Sequence, residues 1–209
     1  DSVLQDFEKA YQKFLQEAEQ GNGFAMQDLG RMFADGLGRD TDMALAQEWY
    51  GKALRAFHTK ETSVKEKQKP YLQYRIGKMY ASGFGTEQNN EQAAYWFFQA
   101  SEANHKYAQY SLAGLYHRGQ GVEQNDMRAF SLYRSSAEQG NPYASLELAK
   151  MYRDGLGTEP APKLAERGFQ DAYSGFVMLE EKSHDDKLQY RIGQMLHTGT
   201  GTEADDKRA

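Results

Sequence analysis

Small and hydrophobic residues recur along this chain in pairs of segments, and each segment has the three-to-four-residue spacing of an amphipathic helix. In one pair, Ala108, Leu112 and Tyr116 lie before a glycine turn, and Ala129 and Tyr133 lie after it. This spacing predicts two helices, called helix A and helix B below, joined by a short turn. Five such turns occur, at Gly36 and Gly38, Gly83 and Gly85, Gly119 and Gly121, Gly155 and Gly157, and Gly199 and Gly201.

The turns recur at a fixed distance in the middle of the chain. Gly83, Gly119 and Gly155 follow one another at intervals of 36 residues, and the spacing is longer on either side. A period of this size is typical of stacked repeats, because one helix pair cannot bury its apolar surface without neighbours. We therefore predict an all-α fold, a solenoid of antiparallel helix pairs. The glycines supply positive φ values, which cost other residues about 1–2 kcal/mol.

We interpret residues 1–209 as one repeat array. Both ends fall within the repeat pattern: the first helix resembles a helix B, and Ala209 falls at the small helix B position of Ala129. We therefore expect the natural protein to be longer. The predicted parts are a helix B of a preceding repeat at 3–20, repeat 1 at 22–58, repeat 2 at 70–102, repeat 3 at 103–138, repeat 4 at 139–184 and a partial repeat 5 at 185–209.

Two joints interrupt the period. Residues 59–69 form a polar, Lys-rich insertion, and the helix B that starts at Pro160-Ala-Pro162 is predicted to be longer than the others. The segment Gln-Tyr-Arg-Ile-Gly follows both joints, at 73–77 and 189–193, which indicates duplication of a block larger than one repeat. Two interpretations of the insertion remain open: an extended helix B with a solvated linker, or a functional loop.

Composition narrows the classes of function. The chain has 209 residues, no Cys, 26% charged residues and a formal net charge of −5. The lack of Cys excludes disulfides, thiolate metal sites and thiol nucleophiles. Mixed charges with an acidic excess argue against a dedicated nucleic-acid surface. No apolar run is long enough to span a membrane, so we expect a cytoplasmic protein; because residue 1 is Asp, a removed N-terminal signal remains an alternative.

The sequence offers no catalytic constellation. The five His residues never pair at the i, i+3 or i, i+4 spacing of a helical metal site, and no His-Glu-x-x-His motif occurs. His117 and His197 occupy the same helix position in different repeats, which favours surface or groove residues. The Gly-x-Gly turns follow a helix rather than a strand, which argues against a dinucleotide-binding loop. We therefore predict no enzyme activity, no cofactor and no metal.

The repeated pattern small-x3-Leu-Gly-x2-Tyr-x2-Gly-x-Gly-x7-Ala-x2-Trp-Tyr resembles the Sel1-like repeat, a tetratricopeptide-like helix-turn-helix unit. The resemblance covers nearly the whole chain, and it departs at the two joints, at Phe33 and Leu196 in the tyrosine position, and at Phe169 near the helix B aromatic. It implies a right-handed α-α superhelix in which helix A faces line a concave groove that holds a partner protein or peptide. The groove candidates that it implies are Gln27, Arg31, Tyr74, Lys78, Tyr110, His117, Lys150, Arg153, Tyr190, Gln194 and His197.

Three functions follow as hypotheses. The first is a protein-binding scaffold within a longer protein, since Tyr combined with Arg or Lys suits an interaction surface. The alternative arises because these repeats are also similar to Sel1-like arrays at the C-terminal side of mobilisation relaxases from gut Firmicutes. It is an accessory C-terminal region of a plasmid or conjugative-element relaxase, which would contribute to a DNA-processing assembly. A third hypothesis, an independent enzyme such as a hydrolase, would require a bound metal or nucleotide.

Overall fold

The computed structural model describes residues 2 to 208, and these residues form ten α-helices, one short 3-10 helix and no strand. The all-α prediction is therefore confirmed. Ala209, predicted at a helix B position, lies outside the described residues. The helices are α1 (Ser2–Glu19), α2 (Gly23–Asp35), α3 (Met43–Ser63), α4 (Lys69–Ser82), α5 (Asn90–Glu102), α6 (Lys106–Arg118), α7 (Asp126–Glu138), α8 (Pro142–Asp154), α9 (Pro162–Ser183) and α10 (Asp186–Thr198), with the 3-10 helix at Glu66–Gln68.

The even-numbered helices are the helices A of the repeats, and the odd-numbered helices are the helices B. Within a repeat the two helices pack against each other after a short turn, as α2 does with α3, α6 with α7, and α8 with α9. Small residues allow this approach: a Cβ added at Gly30 would come within 2.6 Å of the Tyr50 ring, and one added at Gly77 within 2.7 Å of the Phe97 ring. Close packing of the helix pairs in repeats 1 and 2 therefore depends on a glycine of helix A.

The chain divides into two compact units, one that ends at Ala100 and one that begins at Ser101. The first unit has a core that includes Leu29, Phe57 and Ile76, all fully buried. The core of the second unit includes Ala129 and Phe176, which are also fully buried. Each unit therefore has an apolar interior of its own.

Side-chain caps begin most of the described helices. Asp42 accepts a hydrogen bond from Leu45 N at 2.9 Å at the start of α3, and Asn125 accepts one from Arg128 N at 2.9 Å at the start of α7. At the start of α6 the cap is a histidine, because His105 Nδ1 accepts from Ala108 N at 3.2 Å. These acceptors satisfy backbone N–H groups that have no partner in the first helical turn.

The helices B at the two joints are lengthened. α3 has 21 residues and α9 has 22, whereas α5 and α7 have 13 each. The Lys-rich insertion is thus divided: its first residues, 59–63, complete α3, and a 3-10 turn at Glu66–Gln68 leads into α4. An extended helix B with a short linker describes this joint.

Candidate partner-binding surface

The glycine turns fix where each helix A ends. Gly83 adopts φ 68 in the left-handed region and donates its N–H to Met79 O, which terminates α4. All ten turn glycines singled out in the sequence have positive φ values, between 64 and 75. Gly21 and Gly140 also have positive φ, in the turns that lead from one repeat to the next.

The second glycine of a turn has an additional role, which is contact with the helix B of the preceding repeat. A Cβ at Gly85 would overlap the backbone of Gly51 on α3, and one at Gly157 would overlap the carbonyl of Asp126 on α7. Gln47 of α3 strengthens the first contact, because its Nε2 donates to Gly83 O at 3.1 Å and its Oε1 accepts from Gly85 N at 2.6 Å. These turns therefore hold α4 against repeat 1 and α8 against repeat 3.

Five of the predicted groove residues are half-buried and take part in packing. The Tyr110 ring lies 5.7 Å from the Tyr133 ring and 6.0 Å from the Tyr143 ring, and burial raises the pKa of the Tyr110 hydroxyl above its usual value. Tyr74 lies 6.0 Å from the Phe97 ring. Tyr74 and Tyr110, which are predicted to face the groove, therefore also pack against other rings of the repeats. The half-buried set is Gln27, Tyr74, Tyr110, His117 and Lys150.

The other six predicted residues are exposed: Arg31, Lys78, Arg153, Tyr190, Gln194 and His197. Several charged candidates are paired on their own helix. Arg31 is 3.3 Å from Asp28, and Arg153 is 2.7 Å from Asp154; the half-buried Lys150 is 2.9 Å from Glu147. Lys78 forms no ion pair within residues 2 to 208, so its charge remains available to a partner.

The second unit brings three of these candidates together. A depression of about 640 Å³ on α10 is lined by Tyr190, Gly193, Gln194, His197 and Asp206. Gln194 Nε2 donates to the Tyr190 hydroxyl at 3.0 Å, which orients a ring that is 70% exposed. An exposed, oriented tyrosine beside polar groups is the kind of side chain that dominates many protein interfaces.

Two His–Asp pairs occupy equivalent places in repeats 3 and 5. His117 Nδ1 is 2.7 Å from Asp126 Oδ1, and His197 Nδ1 is 2.7 Å from Asp206 Oδ1. Helical spacing could not predict these pairs, because the nine residues between the partners cross the glycine turn instead of following a helix. Within residues 2 to 208 no group of three His, Asp or Glu side chains could hold a metal ion. The pairs orient the imidazoles at the end of helix A.

The repeated segment after each joint makes the same hydrogen bond in both units. Gln73 Nε2 donates to Glu61 Oε1 at 2.8 Å, and Gln189 Nε2 donates to Glu180 Oε1 at 2.7 Å. Each bond ties the added turn of a long helix B to the helix A that follows. The identical segments therefore have a structural reason, because both joints use them to hold a lengthened helix.

The arginine of the same segment lies over aromatic rings in both units. The Arg75 guanidinium is 5.6 Å from the Phe24 ring centre, and the Arg191 guanidinium is 5.5 Å from that of Tyr143. Arg75 also lies 5.9 Å from the ring centre of Tyr71. These distances fit cation–π contacts. The sequence reasoning missed this cluster, although the repeated Gln-Tyr-Arg-Ile-Gly segment was the signal that could have led to it.

The family model described as Sel1 repeat matches the chain at residues 23–56, 70–105, 106–141, 142–167 and 187–209. The stretches between the matches, 57–69 and 168–186, contain the two joints. No curated protein matches the chain significantly. None of the helices in residues 2 to 208 combines the length and apolar character needed to cross a bilayer.

Two solved structures place this fold among known ones. The chain is similar to c5321, described as a protective antigen of uropathogenic Escherichia coli with an SLR fold, at 22% identity and a TM-score of 0.60; the match covers 95% of this chain and 46% of that one. It is also similar to a Sel1 repeat protein from Oxalobacter formigenes, at 24% identity and a TM-score of 0.59, over 98% of this chain and 74% of that one. These likenesses confirm the predicted class of α-α superhelical repeat. Because the family model matches more than half of the residues, the chain belongs to the Sel1 repeat family.

Proposed function

We propose that this chain is a protein-binding scaffold that holds a partner protein or peptide on its helix A faces and has no catalytic activity of its own. Sel1 repeats generally serve as modules for protein interactions. A cytoplasmic location is part of the same proposal. The chain spans less than half of the E. coli protein that it resembles, so the proposal concerns only what these repeats themselves bind.

The observation that carries the proposal is the exposed group Tyr190, Gln194 and His197 around the depression on α10. The side chains of Gln194 and Asp206 hold the tyrosine and the histidine in place, so both present a surface with little freedom left to lose on binding. Large aromatic area and oriented polar groups supply affinity and specificity, respectively.

The test is affinity capture from the source lysate with the purified chain as bait, followed by a binding measurement with the captured partner. Tyr190→Ala on helix A should abolish or strongly weaken capture. The matched control is Tyr95→Ala on α5, a helix B tyrosine that is 54% exposed and should leave capture unchanged. Circular dichroism of both variants establishes that the helices remain intact.

Capture that is lost equally in both variants, or in neither, would contradict a helix A site around Tyr190. Nucleic acid captured in place of protein would favour the alternative function, an accessory region of a mobilisation relaxase. A metal or nucleotide that copurifies with the chain in stoichiometric amount would favour an enzyme.

A further inference from the structure

The two joints share their folding contacts but differ in charge. Residues 60–78, at the first joint, contain six basic and two acidic residues, a net charge of +4. The equivalent residues 179–194, at the second joint, contain three basic and four acidic residues, a net charge of −1. The whole chain carries −5, so the first joint is a basic region on an acidic protein. Folding contacts do not require this difference, because both joints form the same Gln–Glu bond and Arg–aromatic contact.

The positive charge of the first joint is not neutralised within the described chain. Its two carboxylates are already engaged: Glu61 accepts from Gln73, and Glu66 Oε1 lies 2.6 Å from Lys69 Nζ. Four lysines of the joint are exposed, and none of them forms an ion pair with a residue in 2 to 208. These lysines are Lys60, Lys65, Lys67 and Lys78.

The helix that follows each joint begins differently. At α10, Asp185 accepts from Lys187 N at 2.8 Å, and Asp186 lies in the first turn. At α4, the position equivalent to Asp185 is Lys69, the first turn has no acidic residue, and Gln68 makes no capping hydrogen bond through its side chain. Carboxylates are favourable at a helix N-terminus and cations are not. α10 carries its own carboxylates at its start, whereas α4 begins at Lys69, which is paired with Glu66, and has no carboxylate in its first turn.

Two stacked aromatic rings, Phe24 and Tyr71, lie beside two cations of the joint, Arg75 and Lys60. The Tyr71 ring, 47% exposed, stacks on the Phe24 ring at 5.9 Å with an interplanar angle of 28°. The Arg75 guanidinium lies over both rings and donates to Gln27 Oε1, which fixes its position. Its Nε is buried and has no hydrogen-bond partner among residues 2 to 208. Lys60 Nζ lies 5.7 Å from the Phe24 ring centre. Cations and an exposed aromatic edge thus occur on one preorganised surface.

We propose that this surface binds an acidic peptide segment of a partner protein. We name it the basic joint surface, and it consists of Lys60, Lys65, Lys67, Tyr71, Arg75 and Lys78. The inference rests on the proposed protein-binding function and adds the chemistry of the partner. Partner carboxylates pair with the free lysines, and an apolar or aromatic partner side chain packs on Tyr71.

A peptide fits this surface better than a nucleic acid does. Nucleic-acid binding draws on many phosphate contacts along an extended basic track. Here the excess of positive charge is confined to one joint, and the rest of the chain is acidic enough to bring the total to −5. A short acidic segment matches both the extent and the sign of the charge.

The experiment measures fluorescence anisotropy of a labelled peptide that consists of Asp and Glu residues around one Tyr, with the full chain at low and at physiological ionic strength. The triple variant Lys65→Glu, Lys67→Glu, Lys78→Glu should weaken binding by roughly tenfold or more, because opposite charge becomes like charge at exposed positions. Higher salt should weaken binding to the wild-type chain. Tyr71→Ala should weaken it as well, with less dependence on salt.

The matched control is Lys163→Glu, Lys182→Glu, Lys187→Glu in the second unit. These three lysines are also exposed, form no ion pair within residues 2 to 208, and change the net charge by the same amount. The control should bind the peptide within about twofold of the wild type. Equal losses in both triple variants would mean that only the overall charge matters and would overturn the proposal, as would failure of the wild-type chain to bind the peptide.

Single-stranded DNA of the same length is the competing probe. If it binds more tightly than the peptide and the first triple variant abolishes that binding, the surface binds nucleic acid and the proposal is wrong. The proposed scaffold function fails separately, through the capture experiment. Suppose that a protein partner is captured and is lost with Tyr190→Ala, but the acidic peptide does not bind. The proposed scaffold function would then stand, and only the proposal for the basic joint surface would be wrong.

Discussion

A turn position can require glycine for two reasons: a left-handed backbone conformation, or a neighbouring backbone so close that a Cβ would overlap it. Gly140 and Gly157 distinguish the two reasons. Gly140 has φ +75 and nothing within 4 Å of an added Cβ. Gly157 has φ +69, and a Cβ added there would also overlap backbone atoms of Asp126 and Met127. A turn glycine can therefore be required for its conformation alone or also for the contact between repeats.

We expect Gly140→Ala to lower the free energy of unfolding by about 1–2 kcal/mol, the cost of a left-handed backbone for a residue with a side chain. Gly157→Ala should lower it by about 2–5 kcal/mol, since overlap adds to the same strain. Urea unfolding followed by circular dichroism measures both. If both variants lost the same free energy of unfolding, the overlap between the new Cβ at position 157 and α7 would be relieved without a loss of stability.

The N-cap of α6 makes stability depend on pH. Burial lowers the pKa of His105 below that of a histidine in an unfolded chain, about 6.5. Its contribution to stability is therefore fully present above about pH 6.5 and is lost as the pH falls through the lower folded pKa, since protonation also removes the acceptor for Ala108 N. The melting temperature should fall between pH 7 and pH 5.

The control for this prediction is His105→Asn, because Asn22 and Asn141 cap α2 and α8 at the equivalent position. Asparagine keeps the acceptor and does not titrate, so the variant should match the wild type at pH 7 and lose less stability at pH 5. Some acid sensitivity should remain, because burial also lowers the pKa of His58. A pH dependence identical to that of the wild type would exclude His105 as its source.

At the scale of helices, the sequence predicted the helix pairs because small and hydrophobic residues recur at the same positions in each repeat. In that pattern Phe33 and Tyr116 occupy the same helix A position of different repeats. The structure buries Phe33 but leaves Tyr116 half-buried, with its hydroxyl accepting from Arg128 Nη1 at 3.2 Å. The largest fully buried side chains are Phe57 and Phe176, in the lengthened helices. Residues at the joints lie outside the period, so periodicity could not identify them.

The candidate site was predicted less completely than the fold, for a related reason. A repeat position specifies a helix face, but the helices packed beside it decide whether the side chain is covered. Tyr74 and Tyr190 share one position. Tyr74 packs near Phe97 on α5, the helix B of its own repeat, and is half-buried, whereas no helix follows α10 within residues 2 to 208 and Tyr190 is exposed. The cation over Phe24 comes from the next helix A, Arg75, and a contact between repeats is not visible from one position alone.

We expect the lengthened helices to depend on their buried phenylalanines. Phe57→Ala and Phe176→Ala should each lower the free energy of unfolding by about 3–5 kcal/mol, because each leaves a cavity at a fully buried site. Phe98→Ala on α5, where the ring is 45% exposed, should cost less than about 1 kcal/mol. Denaturant unfolding of the three variants tests this order, and a Phe98→Ala cost as large as the other two would contradict it.

At the scale of the whole molecule, a stack of similar repeats combines local stabilities, so stability need not be uniform along the chain. α1 shows the weakest local support: Ala18 is the one buried residue among those that the structure describes in this helix, and Val3 and Leu4 are exposed. α8, in contrast, buries Ala144, Leu146, Ala149 and Met151 and begins at the fully buried cap Asn141.

Hydrogen exchange of the backbone amides should therefore follow burial along the chain. We expect exchange to be fastest in α1, where opening exposes little new apolar surface, and slowest in α8, where opening would expose a buried face and break the cap. Mass spectrometry of the exchanged chain at neutral pH resolves these helices as separate peptides. The matched variant Leu146→Ala should speed exchange in α8 and its neighbours while leaving α1 unchanged, because coupling between repeats falls with distance. Uniform exchange across all helices, with every helix responding equally to Leu146→Ala, would instead mean that the repeats unfold as a single cooperative block.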